Sequence, residues 1–185
     1  MGIPLEAKLL LSFGQIRDAK NLHLVLEAMR GQDRVWLVVA GKEASANQRS
    51  VHDYRCLALE LGVAERVVWN QGYVAEQEAA NLFEAADAVV LAYSRLFRSA
   101  SGVLSLAIRY RRPCLVSAGD SPLRNEAITY KLGVCVEPDS AQALRDGMHQ
   151  LFSEDSDCRW DEYIDDHTWE KNAKLVLSAM KPHAS

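Results

Sequence analysis

Continuous apolar runs alternate with amphipathic segments along this chain, and the alternation constrains the fold more than any other feature. Six apolar runs of strand length are predicted to be β-strands: residues 7–13, 34–40, 66–69, 87–92, 113–117 and 134–136. Each is followed by a segment with apolar residues at helical spacing, over residues 21–29, 47–61, 76–86, 101–110, 123–132 and 141–152. A last helix is predicted over residues 169–180, after an acidic segment that we expect to be irregular.

The strand-like runs are apolar throughout rather than at every second residue, so both faces of the sheet must be covered by helices. This pattern predicts an α/β fold: a Rossmann-like, doubly wound parallel sheet of about six strands with helices on both faces. The chain has 185 residues, 49% of them hydrophobic, and this fits one domain, 1–185, with a full core.

Charge and cysteine usage argue against several functional classes. The net charge of -4 differs from the basic excess of nucleic-acid-binding domains, so we expect no nucleic-acid partner. The five histidines show no metal-ligand spacing, and we expect no metal site. The four cysteines are widely spaced and form no CxxC pair, which is typical of a reduced, cytoplasmic setting. No apolar run has the length of a transmembrane helix.

Ligands of doubly wound sheets bind at the carboxyl ends of the strands, where three loops carry polar groups: residues 14–20, 94–102 and 119–126. The first loop has Gly14 at the strand end and then Arg17 and Lys20, two cations beside a backbone turn that suit a diphosphate. It matches neither the dinucleotide fingerprint GxGxxG nor the P-loop GxxxxGK[ST]. An ordinary loop with solvated charges is the alternative.

The second loop, residues 94–102, is made of small and basic residues, and it leads into a helix that starts near Ser101. The free N–H groups of a helix start lie at the positive end of the helix dipole and bind anions, most often phosphate. Arg95 and Arg98 could add bidentate contacts to such an anion. The alternative is a plain strand-to-helix connection with a serine N-cap.

The segment FGQIRDAKNLHLVLEAM at residues 13–29 resembles the opening of the C-terminal, nucleotide-sugar-binding half of family-four retaining glycosyltransferases of the GT-B fold. Four later segments are similar to that family in the same order: LVVAG at 37–41, VVWNQGYVAEQEAANLFEAADAVVLAYS at 67–94, SGVLSLAIRYRRPCLVS at 101–117 and DHTWEKNAKLVL at 166–177. The resemblance covers nearly the whole chain, and the ordered set is more specific than any one motif.

The resemblance implies a nucleoside-diphosphate sugar as the donor substrate, with no metal and no other cofactor. Gly14, Arg17 and Lys20 would hold the diphosphate from one side, and the two cations would neutralise the leaving group. Backbone N–H groups would bind it from the other side, at Ser101, Gly102 and Val103. Three more residues are expected at the donor site, two beside the base and one after the Gly119 turn: Tyr73, Val74 and Glu126.

Two positions depart from the family pattern. The family commonly has two glutamates separated by seven residues around the donor-site helix, one contacting the sugar and one the ribose. Arg98 and Leu106 stand at those positions here. The departure fits a subfamily variant, a different donor, or a chain that binds without transferring, so a non-catalytic interaction or regulatory module is the alternative function. A receiver domain is disfavoured because the chain lacks the early acidic cluster that binds Mg²⁺.

A GT-B enzyme also has an N-terminal acceptor domain, and the active site lies between its two halves. The first predicted strand begins at residue 7, so we expect a donor domain from a longer protein with about 150–200 further residues upstream. Alone, it is expected not to turn over. We expect the last helix to pack on this domain, the alternative being an apolar face exposed towards the missing half. The resemblance implies polysaccharide or glycoconjugate synthesis in the cytoplasm, with peripheral membrane association through the parent protein.

Overall fold

A computed structural model describes residues 2–45, 47–153 and 157–179 of the chain. Six strands form one sheet: β1 Lys8–Phe13, β2 Val35–Gly41, β3 Val67–Gln71, β4 Ala88–Ala92, β5 Cys114–Ser117 and β6 Gly133–Val136. Neighbouring strands are parallel, in the order β3-β2-β1-β4-β5-β6. The predicted doubly wound parallel sheet is confirmed.

The α-helices in the described part of the chain are α1 Leu22–Ala28, α2 Val51–Glu60, α3 Glu76–Ala85, α4 Gly102–Arg109, α5 Pro122–Thr129, α6 Ala141–Ser153, α7 Trp160–Asp166 and α8 Trp169–Ala179. Buried side chains of α1, α2 and α6 pack on one face of the sheet, and those of α3, α4, α5 and α7 on the other. Leu10 and Leu11, adjacent in β1, are both buried but belong to opposite core clusters. Successive side chains of a strand point to opposite faces of the sheet, and both faces are covered by helices, so successive residues are apolar.

The strands of the two halves of the chain meet between β1 and β4. These strands pair at two positions, Leu10 with Ala88 and Leu11 with Val89. By contrast, β1 and β2 pair at six positions, along the whole length of β1. The order of the strands reverses at this junction, because the chain moves outwards from β1 to β3 and then returns to the other side of β1 as β4. Ligands of doubly wound folds bind at such a switch point.

Helix α2 begins later than the predicted residue 47, because a local hydrogen-bond motif fixes its start. The Ser50 hydroxyl accepts a hydrogen bond of 3.1 Å from the Asp53 N–H, and the Asp53 carboxylate accepts one of 2.9 Å from the Ser50 N–H. This reciprocal capping box satisfies two N–H groups that a helix leaves open.

The prediction of an irregular acidic segment before the last helix is wrong, because residues 160–166 form α7. Tyr163 of this helix is buried and packs edge-on against Tyr130, with ring centroids 5.2 Å apart. Arg111 also donates to Asp161 at 2.6 Å. In this seven-residue helix the buried residue is Tyr163, so the sequence shows no helical period among the acidic residues.

The prediction that the last helix packs on this domain is also wrong. The side chains of Trp169, Val176 and Leu177 are exposed, and Trp169 retains 91% of its accessible surface. Met180, the end of the predicted helix, lies outside the described residues. Among the described helices, none combines the length and apolar character that crossing a bilayer requires.

Candidate functional site

A cleft of about 370 Å³ opens at the carboxyl ends of β1 and β4. One side, which we name the Lys20 wall, is the loop of residues 14–20 after β1. The other, the Ser101 wall, consists of residues 94–103 and includes the start of α4. The sheet positions both walls, because parallel neighbouring strands end at the same edge. The cleft lies where the sequence predicted the ligand site.

The Lys20 wall presents two cations. The Lys20 ammonium donates a hydrogen bond to the carbonyl oxygen of Phe13, the last residue of β1. Burial, together with the nearby charge of Arg17, lowers the pKa of Lys20 from 10.5 to about 8. The Nε of Arg17 is buried without a hydrogen-bond partner among the described residues. The wall thus holds positive charge that no neighbouring carboxylate neutralises in the cleft.

The Ser101 wall presents the open start of α4. Ser101 occupies the N-cap position, yet its side chain makes no capping hydrogen bond to the helix within the described structure. The buried Ser101 hydroxyl instead lies 3.2 Å from the Tyr93 hydroxyl. The first hydrogen bond at this end runs from the Leu104 N–H to the Ser101 carbonyl at 3.0 Å. No described residue accepts from the N–H groups of Gly102 and Val103, which are left for a ligand.

Gly14 is the first residue of the Lys20 wall and faces the start of α4. Its φ is 88°, in the left-handed region that favours glycine. A Cβ atom added there would lie 3.2 Å from the Lys20 Nζ and 3.7 Å from the Cγ2 of Val103. Glycine therefore keeps open the space between the ammonium group and the helix start.

The electrostatics of the cleft favour an anion. The residues that line it include Arg17 and Lys20 but no aspartate or glutamate. The dipole of α4 adds partial positive charge at the Ser101 wall. No group of three or more histidine, cysteine or acidic residues suited to a metal ion occurs in the part of the chain that the structure describes. The arrangement can bind an anion that extends from one wall to the other.

Six of the residues singled out from the sequence line this cleft: Gly14, Arg17, Lys20, Ser101, Gly102 and Val103. Tyr73 and Val74 lie outside it, after β3 at the edge of the sheet, where Tyr73 is 89% exposed and Val74 packs against the core. Glu126 also lies elsewhere, because its carboxylate faces Tyr163 and His167 at 3.3 Å and 3.7 Å.

The two positions that depart from the family pattern have different surroundings. Leu106 lines the cleft, where it presents an apolar side chain. The Arg98 guanidinium turns back onto its own loop, and its Nη1 donates to the carbonyls of Arg95 at 2.7 Å and Phe97 at 3.2 Å. Arg98 therefore helps to shape the Ser101 wall.

Sequence reasoning missed the contribution of Tyr93. Its ring stacks on Phe97 with centroids 4.0 Å apart, while its hydroxyl meets Ser101. The available signal was a polar aromatic residue directly after a buried strand that precedes a helix start.

The model of the family described as "Glycosyl transferases group 1" matches residues 1–176. This chain belongs to the group 1 glycosyltransferases. It is 28% identical to the D-inositol 3-phosphate glycosyltransferase of Corynebacterium urealyticum, in an alignment that covers 96% of this chain and 43% of that protein.

Solved structures of other proteins share the fold of this chain. Sucrose-phosphate synthase from Thermosynechococcus elongatus has a TM-score of 0.74 and 19% identity, over 95% of this chain and 45% of its own. Anabaena HepE in complex with UDP and glucose has a TM-score of 0.74 and 15% identity, over 95% of this chain and 49% of its own. At these identities the likeness shows a shared fold. The glycosyltransferase chain described here spans less than half the length of each of these proteins.

Proposed function

We propose that this domain binds the nucleotide-sugar donor of a retaining glycosyltransferase, with the donor's diphosphate in the cleft between the Lys20 and Ser101 walls. The observation that carries the proposal is the opposition of an unneutralised Lys20 ammonium and the free N–H groups at the start of α4. A diphosphate has negative oxygens on two phosphorus atoms, so it can contact both walls at once. Helix N-termini and cationic side chains are the groups that bind phosphate.

In the proposed reaction the bond between the sugar carbon and the diphosphate oxygen breaks, and its electron pair stays on the diphosphate. The sugar carbon forms a new bond to an acceptor hydroxyl oxygen, whose proton passes to the released diphosphate. Arg17 and Lys20 stabilise this developing negative charge as fixed cations. The N–H groups of Gly102 and Val103 contribute from the opposite wall. These groups act as electrostatic stabilisers and exchange no proton with the substrate. Retention of the anomeric configuration and a role in polysaccharide or glycoconjugate synthesis complete the proposal.

The nucleoside is proposed to extend from the diphosphate towards Tyr73 and Val74, which both follow β3 at the edge of the sheet. Anabaena HepE, which shares the fold, was solved with UDP. A uridine nucleotide is therefore the first donor to test. The acceptor is proposed to bind on a further domain, since this chain matches 43% of the length of the Corynebacterium protein and 45% of that of sucrose-phosphate synthase. We accordingly expect no sugar transfer by this domain alone.

Thermal denaturation in the presence of UDP, GDP or ADP tests the proposal. A ligand that binds only the folded state stabilises it by mass action and so raises the melting temperature. The free energy of unfolding increases by about 2.7 kcal/mol when the ligand concentration is a hundred times Kd. We expect one nucleotide to protect the wild type, and Lys20→Ala to lose most of that protection. Lys174→Ala is the matched control, because Lys174 lies on the exposed helix α8. The proposal fails if no nucleoside diphosphate shifts the transition.

A non-catalytic interaction module is the second candidate, and the Leu106 side chain in the cleft favours it. Leucine offers no carboxylate at a position where the family commonly has a glutamate. This candidate predicts no nucleotide protection but a stable protein partner. Co-purification of the full-length protein from its host, together with the thermal measurements, separates the two functions.

A further inference from the structure

Asp139 lies in the loop between β6 and α6, and its carboxylate connects the two walls of the cleft. Its Oδ1 accepts a hydrogen bond of 2.8 Å from Nδ2 of Asn21, the residue directly after Lys20. Its Oδ2 accepts one of 2.9 Å from the backbone N–H of Arg95, in the Ser101 wall. Strand β6 is at the edge of the sheet, so this loop reaches past β5 to the wall that follows β4 and past β4 to the wall that follows β1.

On the side of the Lys20 wall, Asp139 contacts Asn21, whose own position is fixed by further hydrogen bonds. Asn21 is 7% exposed and has a φ of 47°. Its N–H donates to the Asp18 carbonyl at 2.9 Å, and its carbonyl accepts from the Leu24 N–H at 2.9 Å. Asn21 thus joins the cationic loop to helix α1, and a displacement of Asn21 displaces Lys20 with it.

On the Ser101 wall, the contact is made at the start of the loop. The Arg95 carbonyl accepts from Arg98 at 2.7 Å. It also touches the backbone of the next loop, since a Cβ added at Gly119 would lie 2.0 Å from this oxygen. Arg95 is therefore placed between Asp139 on its N–H side and Gly119 on its carbonyl side. The wall's position depends on both.

We propose that Asp139 is a positioning residue that sets the distance between the Lys20 and Ser101 walls and so selects a diphosphate over a single phosphate. This inference rests on the proposed function, because it concerns the same cleft. A diphosphate contacts both walls, and its affinity depends on their separation. A single phosphate is bound by the groups of one wall and does not depend on that separation. Asp139 lines neither wall of the cleft and acts through Asn21 and Arg95.

The substitution Asp139→Asn tests this with little change to the backbone, since asparagine also tolerates the φ of 59° at this position. An amide lacks the negative charge that strengthens both hydrogen bonds of Asp139, and it keeps both contacts only if the Asn21 amide rotates to present its oxygen. We expect the affinity for UDP to fall about tenfold, the scale of one hydrogen bond to a charged group. We expect the affinity for UMP to stay unchanged, both measured by titration calorimetry.

Two further variants control the experiment. Asp146→Asn makes the same chemical change on the exposed surface of α6, where Asp146 accepts from Gln142 at 2.8 Å, and it should leave both affinities unchanged. Asn21→Gly keeps the backbone conformation but removes the amide donor, and it should reproduce the loss of UDP affinity. Combined with Asp139→Asn, it should add little, because both changes break the same contact.

Hydrogen exchange at the Arg95 backbone amide reports on its hydrogen bond to Asp139 in the absence of any ligand. We expect faster exchange there in Asp139→Asn than in the wild type or in Asp146→Asn. Unchanged exchange overturns the inference, as does an equal fall in UDP and UMP affinity. If the wild type binds UDP and the Asp139 variant keeps the same UDP-to-UMP ratio, this inference alone fails. If the wild type binds no nucleoside diphosphate, the proposed function fails and this inference with it.

Discussion

The Tyr93 hydroxyl lies 3.2 Å from the Ser101 hydroxyl, within hydrogen-bonding distance. This contact engages the serine side chain that would otherwise cap helix α4. Serine at an N-cap ordinarily accepts a hydrogen bond from an N–H of the first turn. Here that bond is missing from the described structure, and the helix start faces the cleft unsatisfied. The local sequence favours a capped helix, and the tertiary contact keeps it open.

Tyr93→Phe is expected to weaken nucleotide binding without destabilising the domain. Removing the hydroxyl frees Ser101 to cap α4, and the cap competes with the ligand for the same N–H groups. A new cap stabilises a helix by about 1 kcal/mol, which offsets the lost contact between the two hydroxyls. We expect UDP affinity to fall several-fold while the urea midpoint stays within error or rises.

Tyr130→Phe serves as the control for that substitution. It also deletes one phenolic hydroxyl, but that hydroxyl donates to Asp166 at 3.0 Å and lies away from the cleft. Nucleotide affinity should be unaffected. Equal affinities in wild type and Tyr93→Phe would show that the open helix start plays no part in binding.

Nucleotide affinity is expected to decrease as the pH rises through 8. The pKa of Lys20 in the free domain is about 8, because burial and Arg17 disfavour the charged form. A bound diphosphate stabilises the ammonium and raises this pKa, so binding above pH 8 requires proton uptake. The affinity should fall by up to about tenfold per pH unit there. Calorimetry in buffers of different ionisation enthalpy measures the uptake, and Lys20→Arg should abolish it, because arginine stays charged.

The same pKa shift predicts that the unliganded domain gains stability between pH 8 and 10.5. In this range the unfolded chain keeps the Lys20 proton that the folded chain has released, and stability rises wherever the unfolded state binds more protons. Urea unfolding of the wild type and of Lys20→Met, compared on both sides of pH 8, isolates this contribution. A wild-type gain no larger than that of the variant would contradict it.

Gly14→Ala is expected to abolish nucleotide binding and to lower stability by about 1–3 kcal/mol, the cost of a strained backbone conformation. The added methyl would lie between Lys20 and Val103, in the space where the ligand is proposed to bind. Gly31→Ala is a matched control, since Gly31 has a φ of 73° and nothing within 4 Å of an added Cβ. Both variants should lose stability, but only Gly14→Ala should lose the ligand.

Tyr163→Ala is expected to destabilise the domain by about 3 kcal/mol, as for other buried aromatic residues. Tyr163 holds α7 on the domain through its edge-on contact with Tyr130, and it also stacks on His167 at the end of α7 itself, with 3.9 Å between centroids. Ile164→Ala, one residue later, changes a side chain that is 44% exposed and should cost much less. Chemical denaturation of both variants gives the comparison, and similar losses would show that α7 contributes little through Tyr163.

The sequence was sufficient to predict the sheet and the two loops at its switch point. Continuous apolar runs mark strands covered on both faces, and parallel strands bring Gly14, Lys20 and Ser101 to one edge whatever the details of packing. Those residues are recognisable because they lie in the loops that follow β1 and β4. The predicted helix starts were less accurate, as at α2, where a capping box decided the boundary.

Contacts between distant segments could not be predicted in this way. Asp139 and Asn21 are separated by 118 residues, and no local pattern indicates that an aspartate after β6 contacts the loop after β1. The pairing of Tyr93 with Ser101 is closer in sequence, but it depends on a side-chain direction that spacing does not give. Helix α7 was missed because one buried residue, Tyr163, and one partly buried residue, Trp160, are too few to establish a period.

The short pairing of β1 with β4 gives the proposed ligand a mechanical role. These strands share two paired positions, directly beneath a cleft whose walls come from opposite halves of the chain. Local opening of a protein follows boundaries with few connecting contacts, and this junction has fewer paired positions than the neighbouring pairs β1–β2 and β4–β5. A diphosphate bound to both walls would connect the two halves of the sheet across the β1–β4 junction for as long as it stays bound. Occupancy of the proposed site would then determine how often the two halves of the sheet separate locally. Nucleotide release and local opening of the domain would then be the same event.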